Sequence, residues 1–265
     1  MRQFSAAHLA ALAVMVIAVA GSVAAARRWP GRWVDWLARA LALVIFSAWA
    51  GEYVYDAAVG IWTVRFTLPL QLTDVVSWCA IVGLLTRRPA VVELLYFWAF
   101  TATLQAVLTP DLGQTFPDVL YFTYFTYHVG AIVAASLLVW GLGVRPRRGA
   151  VWRVFAATLA WAAVAGTADA ITGGNYMYLA WKPAHASLLS LLGPWPLYIA
   201  GAAAVALALL WLVQALTWLL ARSLGWPRAA GGAVPSGGAW RTPRRAAAYG
   251  ARSARARRSH GSGGG

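Results

Sequence analysis

Long apolar segments separated by short polar connections dominate the chain. Seven of these segments approach the roughly 20 residues that an α-helix needs to cross about 30 Å of hydrocarbon. They lie near residues 7–26, 34–58, 66–86, 89–109, 118–142, 151–170 and 194–220. The pattern therefore predicts an all-α fold, a polytopic membrane helical bundle of about seven transmembrane helices that occupies residues 1–222.

Composition supports the membrane assignment. The 265 residues are 61% hydrophobic and only 11% charged, against roughly 25% charged in soluble domains. Eight acidic residues cannot solubilise a globular surface of this size. The single cysteine, Cys79, excludes an intramolecular disulfide, and no residue spacing resembles a metal site. We therefore expect neither a metal nor a cofactor.

The positions of the arginines predict the orientation of the bundle. Arginine-rich connections alternate with connections that contain few basic residues, and the positive-inside rule places the arginine-rich ones in the cytoplasm. Their arginines are Arg27, Arg28 and Arg32, then Arg87 and Arg88, then Arg145, Arg147 and Arg148. The amino terminus is then outside and the carboxyl terminus inside.

The first apolar segment has two interpretations. The alanine-rich residues 21–26 resemble a signal-peptide cleavage site. However, only Arg2 precedes the apolar run, whereas Arg27 and Arg28 follow it, which reverses the usual charge order of a signal peptide. This order favours a retained helix.

Residues 223–265 change in composition to Gly, Ser, Pro, Ala and Arg, with eight arginines and no acidic residue between Arg228 and Arg258. Such a segment buries too little apolar surface to offset its ordering entropy, so we predict a disordered cytoplasmic tail. The tail either attracts anionic lipid headgroups or simply reinforces topology. Because the net charge of +14 resides in the connections and this tail, no nucleic-acid partner is expected. The oligomeric state stays open.

Polar residues within the apolar segments indicate a possible site. With the predicted orientation, most of them fall in the outer half of the membrane, where ionisable groups are costly and often functional. They are Glu52, Asp56, Gln71, Thr73, Asp74, Thr101, Gln105, His128 and Asp169, with Thr101 and Gln105 predicted on one helical face. This convergence predicts an outward-facing polar cavity. The alternative is that each group is paired with a neighbouring helix and binds nothing.

Five motifs then carry a resemblance to a known family. They are LPLQLTD at 68–74, LQAVLTPDL at 104–112, YHVG at 127–130, GNYMYL at 174–179 and LGPWP at 192–196. In this order they resemble the YwaF-type family of bacterial membrane proteins over residues 35–220. That family is related to a vertebrate transmembrane acyltransferase of ether phospholipids. The resemblance implies a multi-pass protein of the bacterial plasma membrane, with membrane lipids as partners and acyl transfer as its activity.

The resemblance also implies catalytic roles. His128 matches the family histidine, but Leu70 stands where the vertebrate enzyme has its cysteine nucleophile and cannot replace it. We hypothesise that the Thr73 hydroxyl attacks an acyl carbonyl while His128 takes the proton. Asp74 or Glu52 would orient the imidazole, and Gln71 or Gln105 would donate to the oxyanion. The alternatives are a packing role for His128 and a Thr73 hydroxyl bonded to its own helix.

The connection before the last helix adds further candidates. Asn175, Tyr176 and Lys182 offer donors and an aromatic face at headgroup level, although Tyr and Trp are also ordinary interfacial anchors. Lys182 precedes the last helix rather than lying deep inside it, which argues against a retinal protein.

Two non-enzymatic functions remain open. One is a transporter or binding protein for a small solute or lipid, and the other is a non-catalytic membrane scaffold. Catalysis requires a nucleophile beside His128, transport requires a cavity that opens to both sides, and a scaffold requires only that the polar groups pair with one another.

Overall fold

The computed structural model describes residues 2–183 and 188–223. The predicted basic tail beyond Ser223 lies outside the described residues. The regular structure within those ranges is helical. Seven main helices are α1 (Ala6–Arg28), α2 (Trp33–Ala58), α3 (Leu72–Thr86), α4 (Pro89–Leu108), α5 (Val119–Gly141), α6 (Ala150–Thr172) and α7 (Leu197–Ser223).

The predicted helical membrane bundle is confirmed. Within the described ranges, six of the seven helices are long and apolar enough to cross a membrane. The exception is α3, whose 15 residues rise about 22 Å, less than the roughly 30 Å of hydrocarbon. Large apolar side chains remain exposed along α1, α2, α6 and α7, as expected of surfaces that face lipid.

The start of α3 differs from the prediction. The third apolar segment was expected to be helical from residue 66, but the helix begins at Leu72. Pro69 lacks a backbone N–H and disfavours helix at the residue before it. Gln71 then adopts extended backbone angles, and its N–H donates to Asp74 Oδ2 at 2.9 Å as a helix cap. Hydropathy does not distinguish this apolar but extended entry from a helix.

Helix α5 lies at the centre of the bundle. It packs against α2, α3 and α4, and its last two-thirds are almost entirely buried. Gly130 allows a close approach to α2, because a Cβ at this position would lie only 2.7 Å from Ile45 Cγ1. The polar residues of α2, α3 and α5 are therefore held against one another.

A π-helical turn at Ala99–Thr103 interrupts α4. The extra residue in this turn shifts the helical register. Thr101 is buried and donates to the Phe97 carbonyl at 2.7 Å, whereas Gln105 is exposed. Thr101 and Gln105 therefore differ in exposure, and Gln105 does not enter the buried part of the bundle.

Ion pairs join the connections at one end of the bundle. Arg87 pairs with Asp35 between α3 and α2. The buried Glu93 carboxylate accepts from Arg147 at 3.1 Å and from Arg153 at 2.8 Å. These contacts gather the arginine-rich connections on one side of the molecule.

Side-chain hydrogen bonds attach helix α1 to the bundle. His8 is fully buried, and its Nδ1 accepts from the Phe4 N–H at 2.9 Å. The proton therefore resides on Nε2, which donates to the Val107 carbonyl at 2.8 Å. The Tyr121 hydroxyl donates to the Ala7 carbonyl at 2.8 Å. Helix α1 is thus an integral part of the bundle.

Candidate functional site

Asp74 is the most completely bonded polar side chain of the predicted site. It lies in the first turn of α3, and its side chain is buried. Oδ1 accepts from Trp49 Nε1 at 3.0 Å and from the Tyr53 hydroxyl at 2.9 Å. Oδ2 accepts from the Gln71 N–H. Three donors thus fix this carboxylate between α2 and α3.

Glu52 lies on the face of α2 that also carries Trp49 and Tyr53, and its carboxylate is less constrained than that of Asp74. Its Oε2 accepts from the Thr123 hydroxyl of α5 at 3.3 Å. It lies close enough to Asp74 for the two carboxylates to interact, and the Tyr127 hydroxyl also faces it. Two hydroxyl groups of α5 thus bond the Glu52 carboxylate, whereas three donors hold Asp74.

His128 is buried in α5 and held by its own helix. Its Nδ1 lies 2.8 Å from the Tyr124 carbonyl. Because a carbonyl only accepts, Nδ1 carries the proton and Nε2 presents a lone pair. The rings of Tyr124 and Tyr127 pack beside the imidazole, with centroids 4.1 and 4.4 Å away. Nε2 has no hydrogen-bond partner in the part of the chain that the structure describes.

The expected support of His128 by a carboxylate is therefore wrong. The Tyr124 carbonyl occupies Nδ1, and neither Asp74 nor Glu52 bonds the ring. The position of a residue along its helix does not fix the direction in which its side chain points around the helix axis.

The proposed nucleophile and oxyanion donors are arranged less closely. Thr73 is half-buried in the first turn of α3, and within the described ranges its hydroxyl bonds neither its own helix nor His128. The Gln71 carboxamide oxygen accepts from the Met177 N–H at 2.9 Å, which leaves its amide N–H groups as donors. Gln105 is exposed on α4 and does not join this group.

The connection between α6 and α7 folds over the start of α3. The Tyr176 hydroxyl donates to the Val64 carbonyl at 2.8 Å and accepts from the Leu68 N–H at 2.9 Å. The Tyr176 N–H donates to Asp169 Oδ1 at 2.7 Å, while the buried Oδ2 of Asp169 has no partner among the described residues. Tyr176 is therefore a buried cross-link rather than an interfacial anchor.

Asn175 also has a structural role in this connection. Its carboxamide oxygen accepts from the N–H groups of Ala180 and Trp181, and its amide donates to the Trp181 carbonyl. Lys182 follows directly, with its ammonium 5.3 Å from the centroid of the Tyr198 ring. Of the three residues predicted to bind substrate here, Lys182 keeps a free charged group.

A second contact joins this connection to the one between α4 and α5. The Tyr178 hydroxyl donates to Asp111 Oδ2 at 2.6 Å. Burial, together with this hydrogen bond, raises the pKa of Tyr178 above its ordinary value, so the phenol stays protonated and continues to donate. The connections at this end of the bundle thus form one layer.

The comparison with known families agrees with this architecture. The sequence matches the TMEM164 family over residues 3–214. The chain belongs to the TMEM164 family. No curated protein and no solved structure matches it.

The TMEM164 match covers more of the chain than the resemblance noted in the sequence. That resemblance began at residue 35, whereas the family match begins at residue 3 and includes α1. Together with the hydrogen bonds of His8 and Tyr121, the match supports a retained first helix. The chain is thus a multi-pass membrane protein of the TMEM164 family.

Sequence reasoning missed the aromatic partners of the site. Trp49 and Tyr53 lie one turn apart on α2 and both donate to Asp74. Their spacing of four residues beside Glu52 was the available signal. Aromatic residues near the end of a membrane helix are more often interfacial anchors, which hid this role. The described residues contain no group of three His, Cys, Asp or Glu side chains suited to a metal ion.

Proposed function

We propose that the protein is a membrane-embedded lipid acyltransferase of the bacterial plasma membrane, with His128 as its general base. The observation that carries the proposal is the hydrogen bonding of the two nitrogens of the His128 ring. Its Nδ1 proton is held by the Tyr124 carbonyl, and its Nε2 lone pair is unused by the described residues. A buried, oriented imidazole of this kind is suited to take a proton from a hydroxyl. The resemblance to YwaF-type proteins and the vertebrate acyltransferase supports the same activity.

The reaction would transfer an acyl group from a lipid ester to a hydroxyl. Nε2 of His128 removes the hydroxyl proton as the oxygen attacks the ester carbonyl carbon. The tetrahedral intermediate then collapses, the original ester C–O bond breaks, and the imidazolium returns the proton to the departing alkoxide. The free amide N–H groups of Gln71 would stabilise the negative oxygen.

Two nucleophiles fit this scheme. The Thr73 hydroxyl is free to attack and would form an acyl-threonine intermediate. Alternatively, the hydroxyl of the acceptor lipid attacks directly. No hydroxyl of the described residues bonds Nε2, which favours direct attack by the acceptor.

The carboxylates would then serve different purposes. Asp74 would hold α2 and the start of α3 together, because its carboxylate already accepts three hydrogen bonds. Glu52 is bonded by the Thr123 and Tyr127 hydroxyl groups of α5 and would exchange one of them for a polar group of the substrate.

The orientation remains part of the proposal. The ion pairs of Asp35 with Arg87 and of Glu93 with Arg147 lie among the arginine-rich connections, which we place in the cytoplasm. The layer formed by Tyr176, Tyr178 and Asp111 then faces outward, and His128 is reached from the outer leaflet.

Purified protein in vesicles tests the activity. A phospholipid with a labelled acyl chain and a lysophospholipid acceptor are supplied, and labelled product is measured for wild type, His128→Gln and Thr73→Ala. His128→Gln is expected to lose at least about 100-fold in rate, since general-base catalysis contributes 10²–10⁴-fold. Thr73→Ala retains activity if the acceptor attacks directly.

His8→Gln is the matched control, because His8 is also a buried histidine but both of its ring nitrogens are bonded. It should keep its activity per folded molecule. Equal activity of wild type and His128→Gln would refute the proposal.

A further inference from the structure

Two basic side chains lie on the side of the molecule where Tyr176 and Tyr178 join the connections between the helices. Arg65 is in the connection between α2 and α3, and Lys182 is in the connection between α6 and α7. The Arg65 guanidinium lies 5.9 Å from the centroid of the Trp181 ring, and Lys182 is the next residue. Neither cation has an ion pair with a carboxylate in the described part of the chain.

The two segments that carry these cations are fixed by consecutive residues. Tyr176 bonds Val64 and Leu68, which flank Arg65 in sequence. Asn175 bonds both the N–H and the carbonyl of Trp181, immediately before Lys182. One short stretch of chain therefore fixes the backbone beside both basic residues before any ligand arrives.

A glycine provides a second, independent indication of a built arrangement. A Cβ at Gly174 would lie only 2.6 Å from the Arg65 carbonyl oxygen. A backbone contact this close leaves no room for any other residue, so the Arg65 segment is seated directly on the connection that carries Lys182.

We propose that Arg65 and Lys182 form a binding site for the phosphate of a phospholipid headgroup. Arginine and lysine are the usual partners of phosphate oxygens, and an exposed ring such as that of Trp181 is typical of a tryptophan at the membrane–water interface. The inference rests on the proposed function, for which it specifies a phosphate-bearing lipid as substrate. Asn175 and Tyr176 frame this site rather than contact the lipid.

Native mass spectrometry of the full chain in detergent tests the inference without catalysis. Phosphatidylglycerol is titrated against wild type, Arg65→Gln, Lys182→Gln and the double variant. Each single substitution is expected to weaken binding about fivefold, the equivalent of one basic side chain near a headgroup, and the double variant by more than either. Arg65→Lys keeps the charge and should bind within about twofold of wild type.

Two further variants separate this site from general attraction of anionic lipid. Arg28→Gln is a matched control, because Arg28 also lies 5.9 Å from the centroid of a tryptophan ring, that of Trp29, but at the far end of α1. It should leave the affinity within about twofold of wild type. Gly174→Ala keeps every charge but displaces the Arg65 segment, and should weaken binding as the Arg65→Gln variant does.

Two competing ligands test whether the bound phosphate belongs to a lipid or is free in solution. Diacylglycerol, which lacks phosphate, should not compete with phosphatidylglycerol, and inorganic phosphate at millimolar concentration should not displace it. Displacement by inorganic phosphate alone would overturn the assignment to a lipid. Unchanged binding in the double variant, or an equal loss in Arg28→Gln, would overturn the site. Repeating the titration with His128→Ala protein separates failure of binding from failure of catalysis.

Discussion

Replacing Asp74 removes the acceptor on which Trp49, Tyr53 and the Gln71 N–H converge. Hydrogen bonds to charged groups contribute about 1.5–3 kcal/mol each, whereas interhelical bonds in membrane proteins average about 0.6 kcal/mol. Because Trp49 and Tyr53 are half-exposed, we take about 1 kcal/mol for each of the three bonds. Asp74→Ala should therefore cost about 3 kcal/mol in the free energy of unfolding.

The isosteric variant Asp74→Asn separates the contribution of the helix cap from that of the bonds to Trp49 and Tyr53. Its remaining oxygen still accepts from Trp49 and Tyr53, but its amide N–H₂ now faces the Gln71 N–H, so the helix cap is lost at about 1 kcal/mol. The hydrogen bonds from Trp49 and Tyr53 are also weaker, because the amide oxygen carries no charge. Asp74→Asn should therefore cost about 2 kcal/mol in the free energy of unfolding.

Unfolding of the purified protein in mixed micelles, followed by circular dichroism during a titration with sodium dodecyl sulfate, measures these differences. Asp56→Asn is the control, because the Asp56 side chain has no hydrogen-bond partner in the described ranges. It should cost under about 0.5 kcal/mol. Tyr53→Phe should cost about 1 kcal/mol in wild type and almost nothing in the Asp74→Ala background. A full cost of Tyr53→Phe in that background would refute the assigned hydrogen bond.

Three other predictions concern the bundle. Glu93→Ala should lower the melting temperature more than Arg153→Gln, because the buried carboxylate pairs with two arginines and its loss releases both; thermal scans of the two variants check this order. Gly130→Ala should cost about 1–3 kcal/mol through overpacking, and Ile45→Ala in the same protein should recover part of it because it removes the clashing atoms; an additive loss would contradict the contact. His8→Ala should leave the site intact but make α1 more accessible to limited proteolysis, since its hydrogen bond to the adjacent helix is lost; unchanged cleavage would contradict the attachment.

The transmembrane helices could be predicted because apolar length alone defines them. Six of the seven predicted segments agree with the observed helices to within three residues at each end. The exception begins at Leu72 rather than residue 66, because Pro69 and the Gln71 cap determine the helix start and hydropathy ignores both.

The helices that carry the candidate site could be predicted, but the hydrogen bonds between its side chains could not. Glu52, Asp74 and His128 lie on the three packed helices α2, α3 and α5, as their positions along the chain suggested. Which atoms bond depends on rotation about each helix axis. His128 therefore bonds the Tyr124 carbonyl rather than a carboxylate. Gln105 lies exposed on α4, beyond the π turn.

The contact of His8 with α4 could not be predicted from the sequence. His8, near the amino terminus, carried no pattern that indicated a role, yet it is fully buried and joins α1 to Val107. Its partner is a backbone carbonyl near the end of a distant helix, and no sequence signal marks such an acceptor.

The most direct test of the central claim is the lipid composition of cells that lack this protein. A deletion strain complemented with wild type should regain a set of acylated lipids that the strain complemented with His128→Ala lacks, at equal protein levels. Identical lipid profiles in the two complemented strains would contradict a catalytic His128 and leave this polar cluster as part of the helix packing alone.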